Sequence, residues 1–223
     1  MFTGIIRQTG KIADITKKEG LTELTIEAPE IASTRQIGDS VAVDGVCLTV
    51  TALGNNSTSR AVTAIESSQF TVQAIPETLA RTIIKQYKEN TLVNLETPMK
   101  LGDELHGHLV QGHVDFTGTV TGIKAEGNSK KLEITFPPDY AKFFALKGSV
   151  TVNGTSLTIS NLHKNSFEVS LIPETLASTN LQNLAKGSPV NIEVDLIARY
   201  LNSLLDGKEK ETTYNFLQER GFL

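Results

Sequence analysis

The chain lacks most of what would announce a function. It holds a single cysteine, Cys47, among 223 residues. No internal disulfide can form, and a reducing cytoplasm is the expected setting. The opening MFTGIIRQTGKI has no basic segment followed by a long apolar stretch, so no secretory signal peptide is expected. No apolar run nears the roughly 18 residues that mark a membrane span, so no membrane partner is expected. The net charge is −4. With no basic stripe to neutralise phosphates, nucleic acid is not an expected partner either. A glycine-rich phosphate loop is absent, as is the GxSxG of a hydrolase elbow.

What is present is repetition. Slid by 108 residues, TGKIADI (9–15) falls on TGTVTGI (117–123), and LTIEAP (24–29) on LEITFP (132–137). At a shift of 109, SVAVDGVCLTV (40–50) falls on SVTVNGTSLTI (149–159). At a shift of 97, IPETLA (75–80) matches IPETLA (172–177) unchanged, and VNLE (93–96) matches VNIE (190–193). The order is kept throughout, so one fold unit has been duplicated. The period is too long for a solenoid and implies two tandem domains. The drop in shift marks extra residues in the first copy, and the turn-rich stretch 54–67 is the expected place.

Each unit reads as β. SVAVDG and SVTVNG alternate as half-buried strands, and Asp-Gly or Asn-Gly supplies the positive φ of a tight hairpin. FTVQAI and FEVSLI alternate again. Short strands at regular spacing imply a small sandwich or barrel, and a closed Greek-key barrel of about six strands removes the edge problem. Proline then glutamate in IPETLA suits a helix start. The tail differs: in LIARYLNSLL (196–205), Ile197, Leu201, Leu204 and Leu205 fall on one helical stripe. That stripe could pack on its own barrel or form an oligomer contact. TTYNFLQERGF is expected as a second short helix.

Few residues offer chemistry. A lone cysteine is usually a small buried hydrophobe, but Cys47 occupies the place that Ser156 has in the other copy. Thr49 and Thr158 lie two residues on, toward the same face. ELHGHLVQGHVD (104–115) holds three of the four histidines. His113 has the opposite parity to His106 and His108, and glycines interrupt the run. A single histidine as acid, base or donor is therefore expected, rather than a metal site. Gly112 faces Gly4 in the repeat; each marks either close approach by a ligand or a barrel corner. Asp195, at a strand end, faces Pro98.

These motifs in combination, MFTGII, GDSVAVDGVCLTV, IPETLARTI, GHLVQGHVD, NGTSLTI and IPETLA…VNIEVD, closely resemble the riboflavin synthase family of homotrimeric alpha type, from Met1 to about Leu205. The resemblance implies an all-β fold of two tandem six-stranded Greek-key barrels with a C-terminal helix. It implies an N-terminal lumazine-binding barrel over 1–107, a C-terminal one over 108–195, and a trimerising tail over 196–223. It also implies a cofactor-free transferase that closes riboflavin biosynthesis. Two molecules of 6,7-dimethyl-8-ribityllumazine exchange a four-carbon unit between barrels of neighbouring subunits, giving riboflavin and 5-amino-6-(D-ribitylamino)uracil. Lumazine synthase is a further partner the family suggests.

Carried over residue by residue, the N-barrel site falls on Phe2, Gly4, Ile5, Ile6, Ser40, Cys47, Leu48 and Thr49. It continues through Gln73, Ala74, Ile75, Pro76, Glu77 and Thr78, with Gly112, His113 and Val114. The C-barrel site falls on Lys147, Ser156, Leu157 and Thr158, then Ser170, Leu171, Ile172, Pro173, Glu174 and Thr175, with Asp195. Catalytic positions fall on Ser40, Cys47, His113, Ser156, Thr158 and Asp195. His113 is the expected proton shuttle and Asp195 a hydrogen-bonding or basic partner. Phe116 and His106 stand where the family commonly has glycine, and the 54–67 insertion is longer than usual. The alternative is a non-catalytic relative that holds a lumazine or flavin as a chromophore.

Overall fold

The computed structural model describes residues 1–18, 20–54 and 68–209, with the side chains of the last helix as far as Leu205. The expected insertion, apart from Gly54, and the expected second tail helix lie outside the described residues. Among the described residues, twelve strands form two closed barrels. The first comprises β1 (Gln8–Lys18), β2 (Leu21–Glu27), β3 (Ser40–Val43), β4 (Val46–Gly54), β5 (Gln69–Ala74) and β6 (Leu92–Glu96). The second comprises β7 (Phe116–Glu126), β8 (Ser129–Thr135), β9 (Ser149–Val152), β10 (Thr155–Leu162), β11 (Ser166–Leu171) and β12 (Pro189–Val194). Around the first barrel the order is β1-β2-β5-β4-β3-β6, and around the second it is the equivalent β7-β8-β11-β10-β9-β12. The helices are α1 (Pro29–Ala32), α2 (Pro76–Arg81), α3 (Pro173–Ser178) and α4 (Leu196–Glu209). The duplicated six-stranded barrels, the two IPETLA helices and the helical tail agree with the sequence reading.

The repeat is faithful down to its irregularities. The register slips between Ile12 and Asp14 and between Val50 and Ala52 in the first barrel, and at the equivalent Val120/Gly122 and Ile159/Asn161 in the second. Such bulges bend a strand, which a closed barrel this small requires. The hairpin turns are as expected: Asp44 and Gly45 have φ of 45° and 77°, Asn153 and Gly154 of 46° and 75°. The alternating strands fill two separate cores, one around Leu24, Ile26, Phe70 and Val72, the other around Leu132, Ile134, Phe167 and Val169. Phe116, unusual for the family, packs into the second core with its ring 4.5 Å from that of Tyr140.

Reciprocal hydrogen bonds join the barrels. Asn94 on β6 donates through Nδ2 to the carbonyl of Asn153 (3.0 Å) and accepts at Oδ1 from the N–H of Asn180 (2.6 Å). Its repeat-mate Asn191 on β12 donates to the carbonyl of Asp44 (2.9 Å) and accepts from the N–H of Ile83 (2.8 Å). Both asparagines are buried, so each orphaned partner would cost about 1–3 kcal/mol. Gly45 and Gly154 meet between the two turns; a β-carbon on either would lie 2.6–2.7 Å from the other's amide nitrogen.

One position departs from this symmetry. Asp44 is buried where its mate is Asn153, and it accepts from the hydroxyl of Tyr87 (2.7 Å), the N–H of Asn94 (2.7 Å) and Nδ2 of Asn180 (2.8 Å). Burial outweighs these donors and raises its pKa to about 7. The folded protein therefore binds this proton more tightly than the unfolded chain. The stability it contributes is complete below the unfolded value near 4 and is lost as pH rises through about 7. The urea midpoint is expected to fall between pH 5 and pH 7.5, with a slope from this group of at most about 1.4 kcal/mol per pH unit. Asp44→Asn, which copies Asn153, should fold and flatten that slope; an unchanged slope in the variant would remove Asp44 as its source.

Candidate functional site

The site is built where each barrel's leading segment leaves its own barrel. Phe2 and Val110, repeat-mates, pair as an isolated antiparallel bridge, with N–H to carbonyl distances of 2.8 and 3.1 Å. Beyond this bridge the two arms cross. The carbonyl of Gly112 accepts from the N–H of Cys47 at 2.8 Å, and the carbonyl of Gly4 accepts from the N–H of Ser156 at 2.7 Å. Both glycines have positive φ, 79° and 74°. A β-carbon on Gly112 would stand 2.6 Å from that of Cys47, and one on Gly4 would stand 2.6 Å from that of Ser156. What approaches these glycines is neither a ligand nor a barrel corner, as the sequence reading has it, but the opposite barrel's strand at Cys47 and Ser156.

Each crossing lines a cavity. One, of about 220 Å³, is walled by Cys47 with Val46, by Glu77, Thr78, Arg81 and Thr82 around α2, and by Gly112, His113 and Val114 of the arm. The other, of about 180 Å³, is walled by Ser156 with Thr155, by Glu174, Thr175, Ser178 and Thr179 around α3, and by Gly4, Ile5 and Ile6. The two walls correspond residue for residue in the repeat. Their chemistry does not: Cys47 faces Ser156, His113 faces Ile5, and Arg81 faces Ser178.

The Ser156 cavity has a further group that sequence reasoning did not assign to the site. Nδ1 of His108 lies 2.7 Å from Oγ of Ser156. Burial lowers the imidazole's pKa, while the negative charge of Asp195 acts to raise it. The ring is thus held as neutral imidazole near neutral pH, able to exchange a proton with the Ser156 hydroxyl. Gly107 lets the chain pass: a β-carbon there would run into the carbonyl oxygen of Thr3 and lie 3.1 Å from Oγ of Ser156. The signal in the sequence was positional, because His108 lies in the junction between the repeats and has no counterpart in the first unit. Among the described residues no three His, Cys, Asp or Glu side chains are placed to hold a metal ion.

The structure regroups several expected site residues. Gly4, Ile5 and Ile6 were grouped with Cys47, yet they wall the Ser156 cavity, because the arms cross. The arms cross at two points: Gly4 bonds to Ser156 of the second barrel and Gly112 to Cys47 of the first. Phe2 is buried against Ala42 and Val110. Leu48, Ala74, Leu157 and Leu171 point into the barrel cores behind the walls. Ser40 pairs with Thr49 on β3–β4, and Thr158 with Ser149 on β9–β10. These lie along the same outward strand faces as Cys47 and Ser156, outside the walls of the two cavities. Lys147 is exposed at the turn before β9, with φ of 66°. Gln73 donates to Glu23 (2.9 Å), Ser170 is exposed and pairs with Lys131 across β11–β8, and Ile75 and Ile172 are exposed beside the helix-starting Pro76 and Pro173.

Two equivalent cavities with unlike chemistry, set at the crossing of two β-barrels, define a duplicated small-molecule-binding protein. The Lumazine binding domain family matches it twice, over residues 3–98 and 111–195. A riboflavin synthase of Actinobacillus pleuropneumoniae is 38% identical and one of Bacillus amyloliquefaciens 41% identical, each over the whole of both chains. The chain belongs to the riboflavin synthase family. In solved structures the fold is shared with LumP complexed with riboflavin, at 24% identity and a TM-score of 0.77, covering 87% of this chain and 99% of that one.

Gly112→Ala tests the crossing directly. The added methyl must displace Cys47 or the arm, and an L-residue at this φ is strained. Ligand affinity at the Cys47 cavity is expected to fall about tenfold or more, the factor that goes with 1.4 kcal/mol, as read by fluorescence titration with riboflavin. Unchanged affinity would show that the contact is dispensable.

Proposed function

We propose that the chain converts two molecules of 6,7-dimethyl-8-ribityllumazine into riboflavin and 5-amino-6-(D-ribitylamino)uracil, one molecule held against the Cys47 cavity and one against the Ser156 cavity. The observation that carries this reading is the pair of cavities with one backbone frame and different side chains. A reaction between two copies of one substrate needs two similar cradles. It also needs them unequal, because one copy gives up four carbons and the other takes them. Holding the two rings together supplies proximity, which can be worth about 7–11 kcal/mol of the barrier. The neutral His108–Ser156 pair, next to Asp195, is the proton-handling group on one side. On the other, Cys47 and His113 offer a nucleophile and a second acid–base group.

Each cavity is smaller than the roughly 300–1,000 Å³ of a typical small-molecule pocket. A second wall supplied by a neighbouring subunit fits this shortfall. The tail supports assembly: Ile197, Tyr200, Leu201, Leu204 and Leu205 on α4 are all more than half exposed, so this stripe does not pack on its own barrel. A homotrimer in the cytoplasm is part of this proposal.

The deciding experiment is incubation with 6,7-dimethyl-8-ribityllumazine alone. Riboflavin absorbance should grow, with one riboflavin formed per two lumazines consumed. Stable binding without product would instead make the chain a chromophore holder. Cys47→Ser is expected to lower kcat by about a hundredfold or more, the low end for a lost acid–base group, with little change in the urea midpoint. An equal loss of stability and turnover would return Cys47 to a packing role. In the full chain, Leu201→Glu with Leu204→Glu should dissociate the assembly on sedimentation and abolish turnover, whereas an active monomer would end the intersubunit reading.

A further inference from the structure

Glu96 and Glu193 are repeat-mates at the ends of β6 and β12, only 3% and 2% exposed. Neither lies in the wall of the Cys47 or the Ser156 cavity, and a carboxylate this deep needs donors. Backbone amides supply them. Glu193 accepts at Oε1 from the N–H of Gln111 (2.8 Å) and at Oε2 from those of Gly112 (2.9 Å) and His113 (3.0 Å). Glu96 accepts at Oε1 from the N–H and hydroxyl of Thr3 (both 2.7 Å) and at Oε2 from the N–H of Gly4 (3.0 Å). Successive N–H groups turned inward by a left-handed residue make a concave cradle for an anion. Here the anion is built into the chain. The same glycines, one carbonyl further along, hold Cys47 and Ser156.

We infer that Glu96 and Glu193 are crossed positioning residues: each, from the last strand of one barrel, fixes the arm that completes the ligand cavity of the other. Glu193, a second-barrel residue, thereby governs the Cys47 cavity, and Glu96, a first-barrel residue, governs the Ser156 cavity. The inference rests on the reading of both cavities as lumazine sites. Neither carboxylate touches substrate. Each acts through the carbonyl of the glycine it clamps, and three charge-assisted bonds per arm set that segment more firmly than neutral partners would. Ordinary wall stabilisation makes a different forecast, namely that losing either carboxylate weakens its own barrel and disturbs both cavities alike.

The single cysteine provides a site-specific reporter. In the full-length protein, Glu193→Gln should raise the rate of Cys47 alkylation by iodoacetamide about tenfold, the factor that goes with losing one charge-assisted hydrogen bond. Glu96→Gln should leave that rate unchanged and instead speed hydrogen exchange at the Ser156 amide. Glu193→Asp, which keeps the charge but shortens the reach, should move the thiol rate in the same direction as Glu193→Gln and serves if the glutamine variant does not fold. Equal acceleration in Glu96→Gln and Glu193→Gln, or acceleration in neither, overturns the crossed assignment. With riboflavin as probe, protection of the thiol should be lost in Glu193→Gln and kept in Glu96→Gln. If riboflavin never protects wild-type Cys47 while the ligand-free rates behave as stated, the clamp stands and the reading of the cavity falls.

Discussion

The hydrogen bond from the Cys47 amide to the Gly112 carbonyl, with its twin from Ser156 to Gly4, makes each cavity the joint property of both barrels. Neither barrel has a complete wall without the other's arm. Both bonds depend on a glycine, because the arm must turn with positive φ and then approach to a distance that leaves no room for a β-carbon. The duplicated halves are therefore interlocked. The Asn94 and Asn191 bridges reinforce this from within the last strands, each tying one barrel's strand to the other's hairpin turn. A change in one half's arm is felt first in the opposite half's cavity.

Within this frame, the residues that hold the backbone are repeated and several that carry chemistry are not. Gly4 and Gly112, Glu96 and Glu193, Asn94 and Asn191, and Thr82 and Thr179 are pairs of like residues at like positions. Cys47 and Ser156, His113 and Ile5, Arg81 and Ser178, and Asp195 and Pro98 are unlike pairs. On the proposed function, geometry calls for symmetry, because two copies of one substrate need matching cradles. Chemistry calls for its loss, because the two copies have opposite fates. Asp44 against Asn153 shows the same loss in a buried place, where an ionisable group in one turn gives the otherwise symmetric interface its own pH dependence.

Much of the fold was legible because its signals are local and occur twice. Alternation in SVAV and SVTV, Asp-Gly and Asn-Gly at the turns, and proline at the starts of α2 and α3 each fix structure within a few residues. The correspondence of Cys47 with Ser156 followed from the shift alone. The crossing of the arms was not legible. A shift aligns Gly4 with Gly112 whether each arm stays on its own barrel or passes to the other, so Gly4–Ile6 were grouped with Cys47. His108 was missed for a related reason: its partnership with Ser156 depends on an arm from the junction lying over the second barrel. Glu96 and Glu193 sat in a motif that read as strand, and nothing in that pattern reveals that their carboxylates face backbone amides.

The tail is fastened to this same junction. Asp115, just past the arm that carries His113, accepts from Nη2 of Arg199 on α4 at 2.8 Å and from the N–H of Val194 on β12 at 2.9 Å. Its own N–H is held by the carbonyl of Ile192. The first turn of α4 is thus fastened to the start of β7, one residue beyond the Cys47 cavity wall. The exposed apolar stripe begins on that turn with Ile197. A surface that covers the stripe therefore bears on a helix whose anchor also fixes where the His113 arm ends. In the proposed assembly, subunit association and the shape of the Cys47 cavity meet at one carboxylate, Asp115, rather than in the barrel core.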